Sequence, residues 1–295
     1  MAERSAGSIR AKGNLKSKLA ASALAATVLL AAAVPPARAC RFWAAVSMGG
    51  IPGEVARKQL LEGPKSLKSL AHDNPDGWSV GYYGSSGPQV ARGKDSAQND
   101  ADFDKAVLQA AAASPGVIVS HIRRAVSGCT GVPNPHPFRR RAGDREWLFG
   151  HNGAVRKKVL IGLIGDAYLA EHPPAICADS PPDSWVDSEL YFILILKAID
   201  EQGGDVEKGI TEALRSLSWA LRFEQRTLNF FLTDGDTVYA YRYGYSLYYS
   251  HQDKPPLSVV ASSVPSADGS GWKSLDNGTL VIMRPGAAPA FKYIQ

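Results

Sequence analysis

Ala37-Arg38-Ala39-Cys40-Arg41-Phe42-Trp43-Ala44-Ala45-Val46 is the stretch on which the fold turns. Ahead of it, residues 1–19 carry Arg4, Arg10, Lys12, Lys16 and Lys18 against Glu3 alone, and Ala20 to Val34 is an uncharged apolar run closed by Pro35-Pro36. A charged start, an apolar middle and a small-x-small tripeptide are the parts of a secretory signal peptide cut after Ala39. The apolar run falls short of the roughly 20 residues that a membrane-spanning helix needs. Residues 1–39 are therefore expected to be a removable leader and residues 40–295 a single domain. Cleavage would give Cys40 a free α-amine beside its thiol, a nucleophile and a candidate base on one carbon. The competing reading is a chance cysteine or a lipid attachment site on an exported binding protein. Ala37, where such sites usually carry Leu, speaks against lipid. Arg41 to Val46 reads as a short buried strand starting at that cysteine.

The charge balance follows the same division. The chain holds 33 basic and 28 acidic residues. The six basic side chains before Cys40, with Arg38 counted, face only Glu3, so the remainder is formally neutral. The basic pI of about 9.0 thus belongs to the leader and gives no nucleic-acid footprint. The basic run Arg139-Arg140-Arg141 lies between glycine- and proline-containing segments and reads as a solvated loop. Cys129 and Cys177 could pair in an oxidising compartment and leave Cys40 free; sequence does not place their Cα atoms.

Further along, Glu54 to Ala71 has helical spacing broken at Gly63-Pro64. Trp78 to Tyr83 reads as a strand closed by Gly84-Ser85-Ser86-Gly87-Pro88. Asp102 to Ala113 is an alanine-rich helix stopped by Ser114-Pro115-Gly116. Val117 to His121 is a β-branched strand running into Arg123-Arg124, and Trp147 to Phe149 is a strand leading to His151-Asn152-Gly153. From Ala154 to Val186 the pattern weakens, and Pro173-Pro174 and Pro181-Pro182 mark an exposed loop. Asp187 or Ser188 can cap an apolar helix through Ile199, and Asp205 to Leu217 gives another. The period then changes to two: Leu228 to Thr233 and Thr237 to Tyr243 flank the Asp234-Gly235 turn, with later strands at Ser258 to Ser262 and Thr279 to Met283. Strands, then helices, then hairpins predict an α+β fold of antiparallel sheets with segregated helices.

His72, His121, His136 and His151 invite a metal reading, but none forms an i, i+4 pair, and the spacings of zinc sites are not met. Asn74-Pro75-Asp76-Gly77 is first of all turn chemistry. The tyrosines from Tyr239 to Tyr249 read as alternating sheet positions and not as a base-stacking platform. Three segments gain weight beside Cys40. Arg123, at a strand end, can hold a carboxylate with its planar fork. Asn152-Gly153 offers a side-chain amide next to an unshielded backbone N–H, a candidate oxyanion hole. Asp187 could cap its helix or bind an amine.

The ordered set Cys40-Arg41-Phe42, His72-Asp73-Asn74-Pro75-Asp76-Gly77-Trp78, His121-Ile122-Arg123-Arg124-Ala125, Asn134-Pro135-His136-Pro137-Phe138, Phe149-Gly150-His151-Asn152-Gly153 and Asp187-Ser188-Glu189 resembles the class II glutamine amidotransferases, above all their stand-alone members. The resemblance runs from Cys40 to the C-terminal strands. It implies a four-layer αββα sandwich of the N-terminal-nucleophile hydrolase fold. It also implies hydrolysis of glutamine or a γ-glutamyl amide through a Cys40 thioester, with the Cys40 α-amine as base. By the same resemblance Asn152 and Gly153 form the oxyanion hole, Arg123 binds the α-carboxylate and Asp187 the α-ammonium. No metal, no organic cofactor, no nucleic acid and no membrane after leader removal are implied; a synthase that receives the ammonia is the alternative to simple hydrolysis. The leader implies an exported protein. Ser79 stands where the family usually has glycine, and Val126-Ser127 and Val186 also depart from its common residues.

Overall fold

The computed structural model describes residues 39–125, 136–224 and 226–294. Residues 1–38 of the expected leader, Val126-Ser127, Cys129 and Asn134-Pro135 lie outside them. From Cys40 the chain enters β1 (Arg41–Ser47), then α1 (Gly53–Arg57), which continues as a π-helical turn over Lys58–Glu62, and α2 (Leu67–Leu70). The helical stretch breaks at Gly63-Pro64 as the sequence predicts. Next come the hairpin β2 (Trp78–Gly84) and β3 (Gly87–Gly93), α3 (Ala101–Ala113) and β4 (Val117–Ile122). The second half runs β5 (Phe138–Ala142), β6 (Arg145–Ala154), α4 (Lys157–Ile164), α5 (Asp166–Glu171), α6 (Asp187–Glu201) and α7 (Val206–Ala220). It closes with β7 (Thr227–Thr233), β8 (Val238–Arg242), β9 (Tyr248–Asp253), β10 (Pro256–Ala261), β11 (Trp272–Ser274), β12 (Thr279–Met283) and β13 (Ala290–Tyr293).

The strands form two antiparallel sheets. One is seven-stranded, β11-β9-β10-β1-β4-β2-β3; the other is six-stranded, β13-β12-β8-β7-β6-β5. Side-chain alternation gives each sheet an inner and an outer face. The inner faces meet in a dry seam of Phe42, Ala44, Val46, Val117 and Val119 from the first sheet against Leu148, Phe231, Ala240 and Val281 from the second. Phe42 packs edge-on to Phe231 at 5.3 Å across it. The outer face of the first sheet, with Trp43, Ala45, Val80 and Ile118, is covered by α1 to α3 through Leu60, Phe103 and Val107. The outer face of the second, with Phe149, Phe230 and Leu232, is covered by α4 to α7. The expected four layers, helices outside two antiparallel sheets, are thus present.

The middle of α6 is apolar all round because every side of it is covered. Leu190 to Leu196 are all buried, between the second sheet and α4 and α7. Burial of each such Leu, Ile or Phe contributes about 1.5–3 kcal/mol. Gly209 on α7 lets the two helices touch: a Cβ there would lie 2.4 Å from the Cα of Ile199.

Two expectations need correction. The stretch from Ala154 to Val186 is not one exposed loop, since it holds α4, α5 and a 3-10 turn over Pro182–Ser184. Leu160 and Ile164, one helical turn apart, anchor α4 in the core, and Gly165 at φ +83° separates it from α5. Arg139-Arg140-Arg141 is not a solvated loop but the edge strand β5, paired to β6 through Arg140↔Trp147. Arg140 turns inward to Glu189 at 3.4 Å, and a charged edge is how sheets avoid pairing with other chains. Tyr239 and Tyr241 are core residues under α6 and α7, in line with the alternation read from sequence. Among the described residues, no helix is long and apolar enough to cross a membrane.

Candidate active site

The end of β4, the start of β1, the end of β6 and the head of α6 meet at one place. β1 and β4 are central neighbours in the first sheet, in register Arg41↔Ile122 and Phe42↔His121. Cys40 therefore sits just before the strand, level with the residues that follow Ile122. Its sulfur receives the backbone N–H of Arg124 at 3.3 Å and lies 3.5 Å from the Arg124 carbonyl. It is a free thiol, whereas Cys177 is disulfide-bonded; the Cys129 half of the expected pairing lies outside the described residues.

Cys40, Arg123, Gly153 and Asp187 line one small cavity together with His136 and His151. Four residues singled out separately in the sequence are thus neighbours in space. Arg123 and Asp187 are both buried and act on the thiol with opposite sign. Burial dominates and raises the Cys40 pKa; the Arg124 N–H and the Arg123 charge oppose that rise, and Asp187 adds to it. A thiol held protonated in this way needs a base within reach before it can attack.

Asp187 is the first residue of α6, and Val186, not Asp187 or Ser188, occupies the cap position without a side-chain cap. The capping expectation fails because the Asp187 carboxylate turns to another strand end: its Oδ2 accepts the Val155 N–H at 2.9 Å. That bond ties the helix head to the residue that follows β6.

Asn152 and Gly153 sit at the end of β6, opposite Asn229 and Leu228 of β7. Asn152 shares a sheet face with Leu148 of the seam. It is fully buried, and among the described residues both its amide atoms lack a hydrogen-bond partner. An unmet buried amide costs about 1–3 kcal/mol, so such a group marks a place where a ligand or a water supplies the bond. Gly153 has no room for a side chain: a Cβ would stand 1.9 Å from the Thr227 carbonyl oxygen and 2.6 Å from His151 Nε2.

Sequence reading missed two supporting groups. The first is a set of three buried histidines. His121 stacks on His136 at 4.1 Å between centroids, and His121 Nε2 is 3.2 Å from the His151 carbonyl. His151 Nε2 faces the Thr227 carbonyl at 3.0 Å and its Nδ1 faces Ser188 Oγ at 2.9 Å. A carbonyl only accepts, so Nε2 carries the proton and Ser188 donates to Nδ1. Burial lowers the pKa of all three; His121 falls to about 3. The neutral His151 imidazole thus ties β6 to β7 and α6, and His121 ties β4 to β6. Their only sequence signal was three histidines at strand ends. Among the described residues no group of three or more His, Cys, Asp or Glu is placed to hold a metal ion.

The second group is the loop His72–Gly77, read above as turn chemistry. It does turn, with Gly77 at φ +107°, but it also clamps the end of β4. Asp76 Oδ2 accepts the Ala125 N–H at 2.8 Å, the Asp76 N–H reaches the Arg123 carbonyl, and Arg124 donates to the Asp73 carbonyl. Asn74 reaches past β4 to the chain before Cys40, donating Nδ2–H to the Ala39 carbonyl at 2.7 Å.

Comparison with known proteins gives the family and the fold. The family described as glutamine amidotransferases class-II matches residues 61–260. An uncharacterised protein of Methanocaldococcus jannaschii is 23% identical over 245 residues, covering 75% of this chain and 64% of that one. The γ-glutamyl-hercynylcysteine sulfoxide hydrolase of Mycolicibacterium smegmatis is 27% identical over 215 residues, covering 72% of this chain and 78% of that one. Among solved structures, the glutamine phosphoribosylpyrophosphate amidotransferase of B. subtilis superposes with a TM-score of 0.57 at 15% identity, covering 86% of this chain and 49% of that one. A glutamine aminotransferase class-II domain protein from Silicibacter pomeroyi gives 0.55 at 23% identity, covering 86% and 99%. The chain thus spans about half of the Bacillus enzyme and under two thirds of the archaeal relative.

Proposed function

This chain belongs to the class II glutamine amidotransferases, and from that premise we propose that it is an exported amidohydrolase of glutamine or a γ-glutamyl amide, with Cys40 as its N-terminal nucleophile. The observation that carries the reading is the meeting of Cys40, Arg123, Gly153 and Asp187 in one cavity. The γ-glutamyl substrate in the name of the mycobacterial relative supports the wider substrate class.

In the proposed reaction the leader is removed after Ala39. The freed α-amine, with a reference pKa of about 7.7–8.0, takes the thiol proton as Sγ attacks the side-chain amide carbon. Asn152 and the Gly153 N–H hold the oxyanion. Collapse expels ammonia or an amine, which leaves with the proton held by the α-ammonium, and a glutamyl thioester remains on Cys40. Water, activated by the same amine, releases the glutamyl group. Arg123 holds the substrate α-carboxylate bidentately and Asp187 its α-ammonium, so the free amino-acid end is read by two opposite charges.

N-terminal mass analysis of the exported protein, combined with ammonia release from glutamine and from γ-glutamyl amides, tests this reading. Cys40 at the N-terminus and turnover are expected. Turnover by a protein that keeps the leader would overturn it, because an amide nitrogen has delocalised its lone pair and cannot serve as base.

A further inference from the structure

Asn74 has no part in the chemistry described so far, yet it is a buried polar side chain aimed at the peptide bond that joins Ala39 to Cys40. It is 2% exposed, and the loop that carries it is fastened at both sides. Its own N–H bonds to the Ala71 carbonyl, the Asp76 N–H to the Arg123 carbonyl, and the Arg123 N–H to the Gly77 carbonyl at 2.8 Å. Its Nδ2 donates to the Ala39 carbonyl at 2.7 Å, and that oxygen also receives Arg41 Nη1 at 2.9 Å. Ala39 is itself buried.

Removal of Ala39 takes that carbonyl away and leaves an α-amine nearly in its place, since a peptide nitrogen lies about 2.2 Å from its carbonyl oxygen. The new amine has N–H groups to satisfy in a buried spot. Of the two groups that held the carbonyl, arginine can only donate, whereas an asparagine amide can also accept. A half-turn about the two-fold χ2 torsion brings Oδ1 to where Nδ2 stands now. We infer that Asn74 is the positioning residue for the Cys40 α-amine: its Oδ1 accepts an N–H of the amine and leaves the nitrogen lone pair facing Sγ. This rests on the reading of Cys40 as an N-terminal nucleophile.

The charged and titratable groups that share the spot are Arg41 on β1, Arg123 and Arg124 after β4, Asp73 and Asp76 of the loop, Asp187 of α6, and Tyr245. All stay in place in an Asn74→Asp variant, which is nearly isosteric and adds one negative charge beside the amine. That charge favours the ammonium form, so the amine titration must move to higher pH.

The test uses protein produced with Met ahead of Cys40 and the Met removed by the host. The Cys40 α-amine is labelled with ¹⁵N and titrated by NMR, and kcat/KM for glutamine is measured against pH. In Asn74→Asp the amine midpoint should rise by about 1 unit or more, and the acid limb of kcat/KM should shift the same way. In Asn74→Ala the midpoint should fall, and kcat should drop about tenfold or more with KM changed far less. Unmoved amine midpoints in both folded variants would overturn the inference. If the parent protein does not hydrolyse γ-glutamyl amides, the proposed function fails, while the amine titration still decides the role of Asn74.

Discussion

The backbone N–H of Arg124, two residues past the end of β4, meets the sulfur of Cys40 across 3.3 Å. The thiol is therefore placed by the pairing of β1 with β4 and by the His72–Gly77 loop that clamps the end of β4, and burial keeps it protonated until a base acts.

Cys40→Ala should abolish release of ammonia while leaving the protein folded. The loss to stability is one weak bond to a backbone N–H, about 1 kcal/mol. Urea unfolding and a turnover assay on the same preparation check both halves; retained turnover would exclude the covalent route.

Gly153→Ala should fail in the fold as well as in the chemistry. Its Cβ would sit 1.9 Å from the Thr227 carbonyl, so β6 and β7 must part. Overpacking of this kind costs about 1–3 kcal/mol. The unfolding midpoint should fall accordingly, and the remaining folded protein should turn over far more slowly. A midpoint equal to that of the parent would show that the strands give way freely.

Asp187→Asn keeps the shape and, through Oδ1, the acceptor for Val155, but loses the charge. For substrates with a free α-ammonium, kcat/KM should fall roughly 10- to 100-fold, the worth of one hydrogen bond to a charged group. Analogues lacking that ammonium should lose little. Equal losses on both would assign Asp187 to holding the head of α6.

Acid should weaken the fold through its buried histidines. Burial holds His121 down at about 3 from its ordinary 6.5, so the unfolded chain takes up a proton that the fold refuses. The stability from neutral His121 is complete above pH 6.5. It drains as pH falls towards 3, by at most about 1.4 kcal/mol per unit. His136 and His151 are shifted the same way and steepen the loss. Urea midpoints at pH 7.0 and 5.0 check the sign, and His121→Gln should flatten the dependence.

The segments that the sequence made plain are those with one buried face or none exposed. Arg41 to Val46, Asp187 to Ile199 and the Leu228–Tyr243 hairpin match β1, α6 and β7–β8 to within a few residues. Among those that escaped are the edge strands β3 and β5. They carry Gln89, Arg92, Arg139 and Arg141, because a sheet edge must stay polar, and polarity erases the period-two signal. The cavity-lining residues Cys40, Arg123, Gly153 and Asp187 were legible one by one, through their ordered resemblance to a family. The roles of His121, His151 and Asn74 were not, because each meets a backbone carbonyl, and a carbonyl has no letter in a sequence.

The seam between the sheets divides the site. Cys40 and Arg123 flank β1 and β4 of the seven-stranded sheet, and Asn152 and Gly153 belong to β6 of the six-stranded one. On the proposed reaction, the attacking sulfur and the donors that hold the oxyanion therefore come from different sheets. On that reading catalysis is a property of tertiary docking, and a fragment holding one sheet alone should show none. Turnover lost in denaturant should track the parting of Phe42 from Phe231, which makes the enzyme its own gauge of whether the two sheets are in step.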